Sequence, residues 1–218
     1  EINQIIVSID NLNIKDIQKL AIRIKPSNFK NYLLNNIDKG TVEKILIDVK
    51  LGENMKINDY KVNGFVKKVN IKAPNDLLIK DISLNFISDK NLTLINSLKA
   101  KYQGVLVSNG SLSLKRNKQV DIEGKFDSKF NLNKDTLKNL FSKTDVNFLE
   151  KNSLNAQGSL LHNFYLKFDE NIKLIDYDYK SSGNISESQI ILKDDFKSIF
   201  TENSIKKILI SQTNLTIN

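Results

Sequence analysis

Val120-Asp121-Ile122-Glu123-Gly124-Lys125-Phe126 alternates apolar and polar residues without a break. Successive side chains of a β-strand point to opposite faces, so the run places Val120, Ile122, Gly124 and Phe126 on one face and Asp121, Glu123 and Lys125 on the other. The same period recurs. Ile45, Ile47, Val49 and Leu51 alternate with Leu46, Asp48 and Lys50. Ile82, Leu84 and Phe86 alternate with Ser83 and Asn85, and Leu98, Ala100 and Tyr102 with Lys99 and Lys101. An apolar face backed by a polar one is the pattern of antiparallel sheets with one side in water.

Further strands are predicted at Ile5–Leu12, Leu20–Ile24, Tyr60–Val66, Val69–Ile71, Val105–Val107 and Ser111–Leu114, and then at Ser159–Phe168, Ile172–Tyr179, Ile185–Leu192 and Ile208–Ile217. Asn109-Gly110, Pro74-Asn75-Asp76 and Ser182-Gly183-Asn184 read as turns between them, Asn109-Gly110 best because both residues tolerate positive φ. Asn63-Gly64 sits inside an alternating run and reads as a bulge or a place of close backbone approach. Three short helices are predicted. The first covers about Asn28–Asp38, with Ser27 as cap and Gly40 just beyond its end. The second covers about Lys134–Ser142, capped by Asn133, and the third lies near Asp195–Thr201. Their apolar stripes read as faces that cap a sheet.

Roughly ten or more amphipathic strands must hide an apolar face, and three short helices cannot cover them. Two sheets face to face, a closed barrel, and a curled sheet whose inner face holds something apolar are the available solutions.

The 218 residues contain no cysteine, which excludes a disulfide framework and thiolate metal sites. Net charge is +8, yet only Arg23 and Arg116 among 33 cationic residues are arginine. Nucleic-acid recognition favours the planar guanidinium, so the lysines read as a solvated surface and no nucleic-acid partner is expected. His162, the one histidine, stands between Leu161 and Asn163 and reads as a packing or surface residue. The chain holds no Gly-x-Ser-x-Gly elbow, phosphate-binding glycine loop or calcium loop. The expectation is therefore a protein without an enzyme active site, cofactor or metal. Eight glycines and two prolines argue against long flexible linkers. With Glu1 at its start and no apolar run of about twenty residues, the chain is expected to be a single segment, 1–218, excised from a longer protein.

The stretch Pro26 to Leu51, PSNFKNYLLNNIDKGTVEKILIDVKL, places a predicted helix before Gly40, then Thr41-Val42 and an alternating strand. It resembles the AsmA-like family of bacterial envelope proteins, in particular its YhdP-like and TamB-like branches. Gly104-Val-Leu-Val-Ser-Asn-Gly110-Ser-Leu-Ser-Leu114 followed by Val120-Asp-Ile-Glu-Gly124 is similar to the repeated strand pairs of that family, as is Tyr177-Asp-Tyr179 to Ile185. Where the YhdP-like pattern carries a tryptophan before the glycine, this chain has Tyr32 and Leu33.

The resemblance implies a mainly β fold: a curled antiparallel sheet, a taco-like β-groove, with about three short capping helices. It implies a non-catalytic segment of a periplasmic protein, tethered to the inner membrane by an anchor outside this segment. Its apolar groove would carry phospholipid between the inner and outer membranes. The expected partners are phospholipid acyl chains, flanking repeats of the same chain, and a membrane contacted through regions outside the segment. The candidate groove residues are Ile45, Ile47, Val49, Leu51, Ile82, Leu84, Phe86, Leu112, Leu114, Val120, Ile122 and Phe126. Alternation alone equally allows a closed β-sandwich acting as a structural or protein-interaction module of the envelope, with the same residues as its core.

Overall fold

A computed structural model describes residues 3–22, 34–73, 77–140, 153–171, 173–197 and 204–217. Ten strands follow one another: β1 (Gln4–Asn13), β2 (Ile37–Leu51), β3 (Ile57–Ala73), β4 (Leu77–Ser88), β5 (Leu92–Tyr102), β6 (Val105–Arg116), β7 (Val120–Leu132), β8 (Ser153–Phe168), β9 (Leu174–Lys197) and β10 (Ser204–Ile217). Helix α1 (Ile14–Ile22), helical residues 34–36, a 3-10 turn at Glu53–Met55 and helix α2 (Lys134–Leu140) are the short helical segments among the described residues. The fold is mainly β. Each strand pairs with its sequence neighbour in one antiparallel sheet, β1 through β10, and the sheet is not closed. The chain divides into two compact units: Glu1–Lys101 with Val107–Phe126 and Asn163–Asp178, and Tyr102–Leu106 with Asp127–His162 and Tyr179–Asn218.

In the first unit the register places apolar residues opposite one another. Val7 faces Ile47 across β1 and β2, Ile47 faces Val62 across β2 and β3, and Val66 faces Leu84 across β3 and β4. Gly64 lies opposite Phe86, and a Cβ there would come within 2.5 Å of the phenyl ring. This is the close approach that the Asn63-Gly64 pair suggests.

Bulges interrupt this regular pairing. Lys68, Asp81, Ser97 and Asn109, one on each of β3 to β6, all have φ between 51° and 56°. The registers slip beside the first three, between Val66 and Val69, between Lys80 and Ser83, and between Ser83 and Asn85. An extra residue on one strand bends it and steepens its twist. Side chains satisfy the bulged amides. Asp81 N–H donates to Asn70 Oδ1 at 3.1 Å, and Lys68 N–H donates to Ser83 Oγ at 3.3 Å. Asn70 is thereby a buried polar residue with a purpose.

Two clasps tie the margins of this unit. Arg116, at the end of β6, donates through Nη2 to Ser88 Oγ at 3.1 Å and to the Asp89 carbonyl at 2.6 Å. Asp89 in turn accepts the Asn91 and Leu92 amides, and those bonds hold its carboxyl below the ordinary range. Helix α1 lies against β1 and β2 with Ile14 buried. Asn13 Oδ1 accepts the Lys15 amide at its start, and Gln18 donates to the carbonyls of Leu34 and Ile37.

In the second unit Gln103-Gly104 forms the turn between β5 and β6, with φ of 39° and 83°. Successive positive φ values suit the twist of a two-residue hairpin. Helix α2 opens with a reciprocal cap: Thr136 N–H donates to Asn133 Oδ1 at 2.9 Å, and Asn133 N–H donates to Thr136 Oγ1 at 2.8 Å. Leu137 is its buried anchor. Strand β10 pairs with β9 from Ser204↔Lys197 to Ile217↔Ser181.

Several sequence expectations need correction. Leu20 to Ile22 belong to α1 and not to a strand, because Ile14, Ile17 and Ala21 share helical spacing that the shorter reading missed. Asn109-Gly110 lies inside β6 and not at a hairpin tip. Its tolerance of positive φ serves a bulge, and the hairpin closes six residues earlier at Gln103-Gly104. Ser182-Gly183-Asn184 likewise runs through β9, paired with Thr216, Leu215 and Asn214. Of the helix expected at Asn28–Asp38, residues 34–36 are helical as expected, residues 28–33 lie outside the described residues, and the strand β2 takes over at Ile37. Asp195–Lys197 are strand, and the remainder of the third expected helix lies outside the described residues, as does the turn at Pro74-Asn75-Asp76.

Candidate binding face

The twelve residues singled out in the sequence all belong to the first unit and share one face. Directly opposed residues of an antiparallel pair lie on the same side. The register therefore joins Ile45, Ile47 and Val49 to Val62 and Gly64, and these to Leu84 and Phe86. Ile82 and Leu51 follow by alternation along β4 and β2. The bond from Arg116 to Ser88 brings the β6 row Leu112, Leu114, Arg116 onto the side of Phe86 and Ser88. A Cβ at Gly124 would meet Leu112 and the Phe164 ring, so β7 presents Val120, Ile122, Gly124 and Phe126 to that same side. Phe126 meets Phe164 edge to face with centroids 6.2 Å apart.

Burial separates the possible uses of this face. In a sandwich core these side chains would be sealed between two sheets. Here the strands of the first unit form one sheet, and eleven of the twelve residues are only half-buried. Ile82 alone is buried, beside the bulge row. At the β1 margin Ile5 and Val7 on the same face remain 42% and 39% exposed. Among all described apolar residues only Ile14, Val42, Val69, Ile82 and Leu137 are buried. The apolar face is thus a surface lined by neighbouring side chains and not a packed interior.

The reverse face of the first unit carries most of its charged residues, with Ile6, Ile87 and Leu94 exposed among them. Glu43 pairs with Lys67 at 2.8 Å and Glu123 with Lys115 at 3.7 Å, all of them substantially exposed. Tyr165 donates to Asp121 Oδ1 at 2.9 Å, a bond that raises the phenol above its ordinary range. A cleft of about 460 Å3 opens among Asn96, Ser113, Glu123, Lys125, Tyr165 and Asp178. Of its carboxylates, Glu123 is already engaged by Lys115 in an exposed pair, which is the usual state of a solvated surface carboxylate.

The second unit holds a feature that the sequence reading passed over. Ser128 on β7 and His162 on β8 are buried, with Ser128 Oγ 2.7 Å from His162 Nε2. His162 Nδ1 lies 2.7 Å from the hydroxyl of Tyr179 on β9. A serine on an imidazole nitrogen is half of an acyl-transfer arrangement. Ser128 is 3% exposed, however, and gives an incoming carbonyl no approach, and the third group is a phenol where a carboxylate would be expected. The three groups form a hydrogen-bonded chain that runs from buried Ser128 through His162 to the partly exposed Tyr179. Its signal in the sequence is a break in alternation. Polar Ser128 stands between Phe126 and Phe130, and His162 between Leu160 and Phe164, each in a slot of the apolar row.

Burial holds the His162 imidazole below its ordinary value of 6.5, with Asp127 pulling more weakly the other way. Above 6.5 the ring is neutral in both folded and unfolded chains. As pH falls below that value the unfolded chain takes up its proton first, so stability declines until pH has passed the folded value. Urea midpoints measured at about pH 7.5 and about pH 5.5 should therefore fall further for the native chain than for His162→Gln. Equal falls in the two proteins would show that His162 titrates alike in both states.

Among the described residues, no three His, Asp or Glu side chains gather as a metal site requires, and no helix is long and apolar enough to cross a membrane. No protein-family model, curated protein or solved structure matches the chain.

Proposed function

We propose that this chain is a lipid-carrying segment of the AsmA-like kind: an apolar sheet face on which acyl chains lie while polar head groups stay in water. The observation that carries the reading is the row of twelve aliphatic and aromatic side chains, eleven of them half-buried, on one face of a single sheet in the first unit. Apolar area withdrawn from water contributes about 25 cal/mol per Å2, so each methylene laid against such a row gains up to about 0.8 kcal/mol. No directional bond is needed along the chain, and the carrier is expected to tolerate different acyl lengths. The reverse face, dense in Lys, Asp and Glu, suits an aqueous boundary.

On this reading the protein works without catalysis in a periplasm, linked to the inner membrane by an anchor outside the segment, and passes phospholipid towards the outer membrane. Its edge strands β1 and β10 are the places where flanking repeats would continue the sheet.

The test is lipid mass spectrometry on the 218-residue chain, exported to a bacterial periplasm and purified without detergent. Phospholipid should co-purify at a reproducible molar ratio. A well-folded, lipid-free protein that also fails to take lipid from vesicles would reject the proposal and leave a structural or protein-docking sheet.

A further inference from the structure

We propose that the two open edges of the sheet are complementary to each other, and that β1 of one copy of this chain pairs antiparallel with β10 of a second copy. The inference goes beyond the carrier reading and stands or falls without it.

Each edge strand has one neighbour, so each offers a row of unpaired backbone N–H and C=O groups. Both edges also carry exposed apolar side chains on both sides of the strand. Ile5, Ile6 and Val7 are exposed on β1, and Ile208, Leu209 and Ile210 on β10, with Ile6 at 62% and Leu209 at 69%. Charge tells the edges apart. Strand β1 carries Asp10 and no lysine, whereas β10 carries Lys206 and Lys207 and no carboxylate. Two β10 edges would gather lysines against lysines; β1 against β10 joins opposite signs. The occupant is a second copy because the complement of each edge is the other edge of this same chain.

Breaks in the regular backbone bracket the stretch of each strand that can pair. On β1 it runs from Gln4 to Asp10 and stops before Asn11, whose φ is 55°. On β10 it runs from Lys207 to Ser211, after the register slip between Ile205 and Lys207 and before Gln212, whose φ is 48°. Setting Asp10 opposite Lys207 lays these stretches on each other. Ile9 then meets Ile208, Ser8 meets Leu209, Val7 meets Ile210 and Ile6 meets Ser211.

Directly opposed residues share a side. Ile208 and Ile210 therefore extend the side of Val7 and Ile9, which continues across β2 to Ile47 and Ile45. Asp10 and Lys207 meet on the other side. Asp10 already lies opposite Lys44 on β2, so Lys207 would flank its carboxylate from the open edge. A shift by one residue would still give Asp10 a lysine, Lys206, but would set Ile9 against Lys207 and Ser8 against Ile208. Lysine on an edge ordinarily discourages pairing. Here the opposing edge brings a carboxylate to the place where the lysine falls. Since unlike edges meet, the contact is head to tail and generates a row or ring of copies.

Sedimentation velocity of the 218-residue chain, at concentrations up to roughly 1 mM, tests the junction. The native chain should self-associate. Asp10→Lys and Lys207→Asp should each weaken association about fivefold or more, because an attraction between opposed residues becomes a repulsion. The double variant exchanges the signs of the pair and should recover association. Both residues are exposed, and urea midpoints near that of the native chain would show that the variants fold. A native chain that stays monomeric overturns the junction. So do single reversals without effect, a Lys207→Asp loss that Asp10→Lys does not share, or a double variant no better than the singles. Lipid measured on the same samples keeps the two proposals apart: a monomer that carries lipid removes the junction alone, and an associating chain without lipid removes the carrier alone.

Discussion

An Ile47→Asp, Leu84→Asp double variant should fold and should lose at least about nine-tenths of the lipid that co-purifies with the native chain. Both residues are half-buried and lie on neighbouring strands of the apolar face, Ile47 opposite Val62 and Leu84 opposite Val66. Full burial of such a side chain is worth about 1.5–3 kcal/mol, and a covering acyl chain would supply the uncovered part of it, about a third at most. Two losses of that size make about 1–2 kcal/mol, roughly five- to thirtyfold in retention. A carboxylate facing the acyl chain adds a desolvation penalty. In the empty protein the same carboxylates still reach water, so destabilisation should stay near about 1 kcal/mol per site, the span of strand preferences. An Asn85→Asp, Ser111→Asp pair adds equal charge to the polar face and should retain lipid. If the apolar row were sealed, the double variant would bury two unpaired charges and unfold outright. Urea melts run beside the mass spectrometry separate the two results.

Gly40→Val should cost about 3 kcal/mol of stability, the largest effect expected of any single glycine replacement in the first unit. The sequence reading places Gly40 just past a helix; the structure places it in β2 with φ of 152°, a region that L-residues rarely enter. A Cβ there would stand 2.5 Å from Val69 Cγ2 and 2.8 Å from Val69 Cα. The second contact is with backbone and cannot rotate away. Val69 and the nearby Val42 are two of the few buried apolar residues, so displacing β3 here loosens what packed interior the unit has. Gly52→Ala is the matched control, since its nearest neighbour would be 3.5 Å away and its φ is negative. It should shift the urea midpoint little. Similar shifts for the two variants would mean that β3 moves aside at Gly40.

Much of the molecule was legible from alternation. The apolar face of Ile45 to Leu51, Ile82 to Phe86 and Val120 to Phe126 could be read without a structure, because strand geometry assigns faces by counting in twos. Antiparallel pairing followed from the polar reverse side, and the second helix from Asn133 ahead of a stripe through Leu137. Local chemistry carries such signals, and they survive whatever the neighbours do.

Pairing decided the rest. Lys68 and Ser97 have no preference for positive φ, yet both bulge, because the strands beside them are one residue out of step. Asn109 has that preference, and it was spent on a bulge and not on a turn, since β6 had already been started at Gln103-Gly104. Ser128, His162 and Tyr179 are 34 and 17 residues apart in sequence, and only the register of three strands brings them within hydrogen-bond reach. The sequence by itself determined that each strand has an apolar and a polar side. Whether a second sheet would seal the apolar sides was a tertiary matter, and the structure leaves them half-covered on one sheet. Alternation is a property of a single strand, whereas closure depends on where every other strand goes.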